Sequence, residues 1–136
     1  MYLLDTNVIS ETRRPRPNGG VLAWMAGVRD TDLRLSAVTI GEIAVGIEAA
    51  RGRDAAKAEA LENWLRELAA TSNVLPMGVG PFRVWARLMH GRPAHLSQDA
   101  MIAATAVVHD LTVVTRNTRD FALLGVRTLD PFRPST

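Results

Sequence analysis

The chain has 136 residues, 47% apolar and 22% charged, a globular composition that excludes the disordered and fibrous classes. It contains no cysteine, which excludes disulfides and fits a reducing compartment. Its 16 basic and 14 acidic residues leave a net charge of only +2, which argues against a generic polyanion binder. The pI of 9.9 reflects arginine, which supplies every basic residue except Lys57.

The length suits one domain spanning residues 1–136, with roughly two-thirds of the unfolded surface buried on folding. Met1 to Asp5 lacks the basic start of a secretory signal. The longest strongly apolar run, Ala100 to Val108, is far shorter than the ~20 residues a bilayer requires. The expectation is a cytoplasmic protein without membrane contact.

Tyr2 to Leu4 reads as a short buried strand that stops at Asp5-Thr6-Asn7, residues favouring turns and helix starts. A helix begins near Val8 to Glu11 and is ended by the arginine- and proline-rich segment Arg13 to Gly20. Val21, Leu22, Met25 and Val28 have helical spacing. Leu33 to Leu35 is a candidate strand, followed by a helix from about Ala37 to Ala50. From Asp54 to Thr71 the stripe Leu61, Trp64, Leu65 and Leu68 marks the clearest amphipathic helix, with Lys57, Glu59, Glu62, Arg66 and Glu67 on the surface. Val74 and Leu75 form a short strand, Phe82 to Met89 a helix, and Gly91 to Ala94 a break. Ser97 to His109 is an alanine-rich helix, Leu111 to Val114 a strand, and Val126 to Leu129 a last strand before a proline-punctuated tail. Strands alternating with helices imply an α/β fold with a parallel sheet covered on both faces.

In such sheets sites form beyond the carboxyl ends of the strands. Asp5, Glu42, Asp99 and Asp120 all fall at strand ends or early in the helices that follow. Two carboxylates ~5 Å apart repel by ~3 kcal/mol at an effective dielectric near 20, so a cluster of them needs a cation or raised pKa values. A hard divalent ion, Mg²⁺ or Mn²⁺, suits oxygen ligands alone. Each acid also has a purely structural reading. Asp5 suits the cap of a helix starting near Asn7. Thr39 and Glu42 have the spacing of a capping box, although Val38, Val45, Gly46 and Ala49 share the glutamate's face. Asp99 follows a possible Ser97 cap, where the helix dipole favours an acid, and Asn117 and Asp120 are spaced as a cap and its partner. Their joint placement carries more weight than any one of them.

Four stretches, Leu3 to Glu11, Ser36 to Ile43, Asp99 to Ala106 and Val114 to Phe121, together resemble PIN-domain ribonucleases, and most nearly the VapC/FitB-like toxins of type II toxin-antitoxin systems. The resemblance runs nearly end to end, in order, and includes the arginine-rich stretch after the first motif. It implies a three-layer α/β/α sandwich with a central, mostly parallel, twisted sheet. It also implies an endoribonuclease dependent on Mg²⁺ or Mn²⁺, with Asp5, Glu42, Asp99 and Asp120 as the catalytic and metal-holding acids. Thr6, Thr115 and Asn117 would support them by orienting carboxylates or holding phosphate or water. Asp120 is the acid whose contact with the ion is least direct, because some PIN domains carry an acid where this chain has Asn117. The implied partners are an RNA substrate, a DNA-binding antitoxin whose C-terminal segment crosses the acidic groove, and a second copy of the chain, with a larger toxin-antitoxin assembly built from these.

Arg116 and Arg119, beside the implied site, are candidate phosphate contacts. Arg13, Arg14 and Arg16 are weaker ones, since a basic loop is often simply solvated. Trp24, Trp64 and Trp85 read as packing residues, and His90, His95 and His109 lack the spacing of a metal triad. Rival readings fare worse on specific residues. A haloacid-dehalogenase-like phosphatase needs an acid where Asn7 stands, and a receiver domain needs a lysine after a late strand, whereas Lys57 is on the amphipathic helix. A non-cutting RNA-binding PIN domain has no need of the retained acids. An RNA-maturation or structure-specific nuclease outside any toxin-antitoxin pair remains the alternative within the family.

Overall fold

The structure, a computed structural model, describes residues 1–133; the end of the proline-punctuated tail lies outside the described residues. Among these residues five short strands, β1 (Tyr2–Leu4), β2 (Leu33–Ser36), β3 (Val74–Leu75), β4 (Thr112–Val114) and β5 (Thr128–Leu129), form one sheet in the order β3-β2-β1-β4-β5. Every pairing is parallel, with Leu4 opposite Leu35 on one side and Val114 on the other. The chain thus winds outward from β1 to β3 and then returns to lay β4 against the free side of β1. The direction of winding reverses between β1 and β4, and the crevice at their carboxyl ends is where such sheets hold ligands.

Among the described residues seven α-helices cover the sheet: α1 (Thr6–Glu11), α2 (Gly19–Ala26), α3 (Ala37–Arg51), α4 (Ala55–Thr71), α5 (Val79–Met89), α6 (Ser97–His109) and α7 (Thr118–Leu123). Alternation along the strands divides the core. Leu4, Leu35 and Val114 face Val8, Val21, Ile43, Ile47 and Leu65 of α1 to α4. Leu3 and Val113 face Ala100, Ala103 and Ala106 of α6, Phe121 of α7 and the partly buried Trp85 of α5. These are the three layers expected from the sequence. Alanine on α6 lets that helix approach the sheet closely, and Ala100, Ala103 and Ala104 are fully buried.

Several boundaries differ from the sequence reading, each for a local reason. Helix α5 begins three residues before Phe82, because Gly80 and Pro81 fit a first turn whose N–H groups have no intrahelical acceptor. Helix α3 is capped by the Ser36 hydroxyl, which accepts from the Val38 amide at 3.0 Å. Thr39 therefore lies inside the helix, fully buried, and makes no capping box with Glu42. Ser97 is the first residue of α6 and not its cap. Strands β4 and β5 start later than expected, at Thr112 and Thr128. The three tryptophans pack as expected: Trp24 edge-on to Tyr2 at 5.1 Å, Trp85 donating Nε1–H to the Ser97 carbonyl, and Trp64 against the core beneath Arg13. No described helix is long and apolar enough to cross a membrane.

Candidate functional site

Asp5 is the first residue beyond β1, and its amide continues the ladder to the Val114 carbonyl at 2.9 Å. Its side chain is 5% exposed, and both oxygens are engaged. Oδ1 accepts from the Thr6 amide at 2.8 Å, which caps α1, while Oδ2 accepts from the Thr115 hydroxyl at 2.7 Å and from Asn7 Nδ2 at 3.2 Å. Thr115 holds the equivalent position beyond β4 and is fully buried. Its hydroxyl donates to Asp5 and accepts from the Asn117 amide at 2.8 Å and from Asn7 Nδ2 at 3.4 Å. Asn7 Oδ1 in turn accepts from the Arg116 amide at 3.2 Å. The first and fourth strand ends are therefore stitched together by side chains more than a hundred residues apart in sequence.

The other acids approach from the helices. Asn117, at the N-terminus of α7, spends its side chain on a bridge: Nδ2 donates to Asp99 Oδ2 at 2.9 Å and to Asp120 Oδ2 at 3.0 Å. Asp99 in the first turn of α6 and Asp120 in the first turn of α7 are thereby tied together. Glu42 comes from α3, half-buried, beside Thr6, whose hydroxyl also meets Thr39 Oγ1 at 3.4 Å. Glu42 borders a groove of about 350 Å³ that runs along α1, α3 and α4 past Arg13 and Trp64.

Three of the acids are held above their ordinary pKa. Burial does most to raise Asp5, opposed by its hydrogen bonds from Thr115, Thr6 and Asn7. Burial also leads for Glu42, with the charge of Asp5 adding, the Thr6 hydroxyl opposing and the charge of Asp99 adding again. Asp99 is pushed up to about 6, by burial first and then by Asp5 and Asp120, against the Asn117 amide and His95. These mutual effects mean that Asp5, Glu42, Asp99 and Asp120 share one electrostatic environment. Among the described residues none of the four has an ion-pair partner.

This donor set fits a hard divalent cation. It offers carboxylate, hydroxyl and amide oxygens, no sulfur, and a surplus of buried negative charge that the chain itself leaves uncompensated. In the described side-chain arrangement, no group of three or more acids and histidines is gathered closely enough to hold one ion, and an oxygen each of Asp99 and Asp120 is turned onto Asn117.

All seven residues singled out as site or supporting residues, Asp5, Thr6, Glu42, Asp99, Thr115, Asn117 and Asp120, lie at this carboxyl edge of the sheet. The arginines separate. Arg116 joins the network through its amide, while its guanidinium lies over the Phe132 ring, 3.7 Å from the centroid. Arg119 is exposed on α7. Arg13 covers the Trp64 ring at 5.2 Å, and Arg14 pairs with the buried Glu11 at 3.4 Å, so both help hold the loop after α1. Two contributors escaped the sequence reading. Asn7 reads in the sequence as a turn residue of the first motif and an argument against a phosphatase, with no site role, and Thr39 as half of a capping box. A third, His95, showed no metal-triad spacing, yet it lies near enough to Asp99 to favour its ionised form.

The PIN domain family model matches residues 2–126. Toxin FitB of Neisseria gonorrhoeae is 36% identical over 138 residues, covering 97% of this chain and 99% of that protein. VapC ribonuclease Y4jK of Sinorhizobium fredii is 36% identical over 142 residues, covering 99% of this chain and all of that protein. The crystal structure of FitAcB from Neisseria gonorrhoeae superposes with a TM-score of 0.81 at 35% identity, covering 98% of this chain and 100% of that one. With its sheet order, its acids gathered beyond β1 and β4 and its end-to-end relatives, this chain belongs to the PIN-domain family.

Proposed function

We propose that the protein is a metal-dependent endoribonuclease, the toxin of a type II toxin-antitoxin pair, which hydrolyses phosphodiester bonds of cellular RNA. The observation that carries this is the placement of Asp5, Glu42, Asp99 and Asp120, from distant parts of the chain, at one edge of the sheet, with the pKa values of Asp5, Glu42 and Asp99 raised and no ion-pair partner for any of the four among the described residues. The names of the relatives, a ribonuclease and a toxin, support the activity and its setting.

Asp5, Asp99 and Glu42 are the residues to hold Mg²⁺ or Mn²⁺. When bound, the ion supplies Lewis acidity that activates water and offsets charge on the phosphodiester. Thr115, Asn7 and the Thr6 amide fix the orientation of the Asp5 carboxylate, one of the residues that would hold the ion. Asn117 holds Asp99 and Asp120 in register, and Asp120 serves through that amide. The Thr6 hydroxyl favours the ionised form of Glu42 that a cation requires. An antitoxin segment is the partner proposed for the acidic groove, and a second copy of the chain for the dimer.

The test is to incubate purified protein, free of antitoxin, with total RNA in Mg²⁺, in EDTA, and as the D5N and D99N variants. Discrete cleavage in Mg²⁺ alone is expected, with loss of at least a hundredfold in each variant. Cleavage that persists in EDTA or in both variants would overturn the mechanism. A short neighbouring reading frame encoding a DNA-binding protein supports the toxin setting, and its absence favours an RNA-maturation nuclease.

A further inference from the structure

The residue that follows Thr115 is doubly fastened. The Arg116 amide donates to Asn7, which itself touches Asp5, so the backbone of Arg116 stands one side chain away from the acids. The guanidinium lies over Phe132. Among the described residues it makes no ion pair and no side-chain hydrogen bond, although the residue is exposed. One face is covered by the ring, and the edge that carries the N–H donors is left for another acceptor.

Phe132 is itself held in place. Its ring packs against the core of α1 to α4, its amide donates to Asp130 Oδ1 at 2.9 Å, and the preceding Pro131 is buried. The chain passes so close to α2 that a Cβ on Gly20 would stand 2.6 Å from the Pro131 carbonyl oxygen. The ring is therefore a fixed platform, supplied by the segment after β5, beneath an otherwise uncommitted cation at the rim of an acidic site. A stacked guanidinium forfeits little side-chain entropy when its edge meets a planar or tetrahedral anion, and so suits bidentate phosphate recognition.

We propose that Arg116 binds a backbone phosphate of the RNA next to the one cut, and that Phe132 is the positioning residue that aims its guanidinium. This rests on the ribonuclease reading above. The repulsion between four acids and a polyanionic substrate gives the site a use for a cation at this rim, and Arg116 is the arginine that shares its hydrogen-bond network.

Steady-state cleavage of a single-stranded RNA oligonucleotide in Mg²⁺, at several salt concentrations, tests it. R116A is expected to raise KM about tenfold with kcat within about twofold, and to reduce the slope of log KM against log salt by roughly 0.7. F132A is expected to raise KM about threefold, F132Y to restore it, and F132A to have no further effect in an R116A background. R116K, which keeps the charge and loses the planar face, should raise KM nearly as much as R116A while keeping the wild-type salt slope, a comparison that stands even if F132A folds poorly. An unchanged KM in R116A, or KM increases for R116A and F132A that multiply in the double variant, would overturn the proposal. Absence of any cleavage by the wild-type protein would remove the ribonuclease reading and this one with it, a result distinct from wild-type cleavage that R116A leaves untouched.

Discussion

Asp5 resolves a choice that its sequence position leaves open. One oxygen caps α1 and the other is fixed by Thr115 and Asn7, so the residue that caps the helix also joins the hydrogen-bond network of the candidate site. Thr115 is the pivot of that arrangement, since its single hydroxyl satisfies Asp5, Asn7 and the Asn117 amide. T115V, nearly the same shape, should cost about 2 kcal/mol by leaving buried polar groups unpaired, and should also depress RNA cleavage; thermal melting and an activity assay read the two effects separately. Asp99 should behave in the opposite way in melting. Its folded pKa of about 6 lies above its ordinary 3.8, so the protonated carboxyl stabilises the fold. That contribution is complete below the ordinary value and lost as pH rises through about 6. In metal-free protein at pH 7, D99N should stabilise the fold by roughly 1 kcal/mol or less, because the group is half-exposed, and so melt higher, while abolishing cleavage. A melting temperature that falls in D99N without metal would contradict the repulsion described.

At the scale of elements, what the sequence made legible was periodicity and punctuation. The Leu61, Trp64, Leu65 and Leu68 stripe of α4 packs inward as its spacing requires, and α6 runs from Ser97 to His109 as read. The errors arise where two local signals compete. Ser36 and Thr39 both suit a cap, and Ser36 takes the role because it ends β2, which leaves Thr39 buried under Thr6. The bridging role of Asn7 was not legible, because it lies in pairing with Thr115 and Arg116, which only the parallel ladder of β1 and β4 brings near. The same limit hides Gly20. In sequence it belongs to an ordinary glycine turn, but in the fold it is the point at which the segment after β5 crosses α2. G20A should destabilise the protein by about 1–3 kcal/mol, through overpacking against a backbone carbonyl that cannot rotate away. Melting should report the loss, and limited proteolysis should show earlier cleavage around Pro131. G19A, with open space around its Cβ, is the control.

For the whole molecule, the balance of +2 conceals a separation of charge. The four site acids are gathered at one edge of the sheet, and without them the chain carries 16 basic residues against ten acidic ones. The gathered acids should make the stability of the protein depend on pH and on divalent metal. Asp5, Glu42 and Asp99 all have raised pKa values, so ionising each one works against the fold. In EDTA, stability should fall as pH rises from about 4 towards 7. Millimolar Mg²⁺ or Mn²⁺ should recover it at pH 7 and have little effect near pH 4, where protons already occupy the carboxylates. A melting temperature that is flat with pH in EDTA, or a metal response equal at both values, would contradict the shared electrostatic environment of the acids.

The central position of β1 also sets the order in which the molecule can be completed. It is synthesised well before the strand that covers its second side, β4, at residues 112–114, and the Asp5 to Thr115 hydrogen bond spans 110 residues. At ribosomal speed that interval is on the order of ten seconds. Until it has elapsed, Asp5 has no hydroxyl to fix it and Asp99 no Asn117 to hold it. A nascent chain therefore emerges with this edge of the sheet disassembled, and the network closes only after Thr115 and Asn117 have been made.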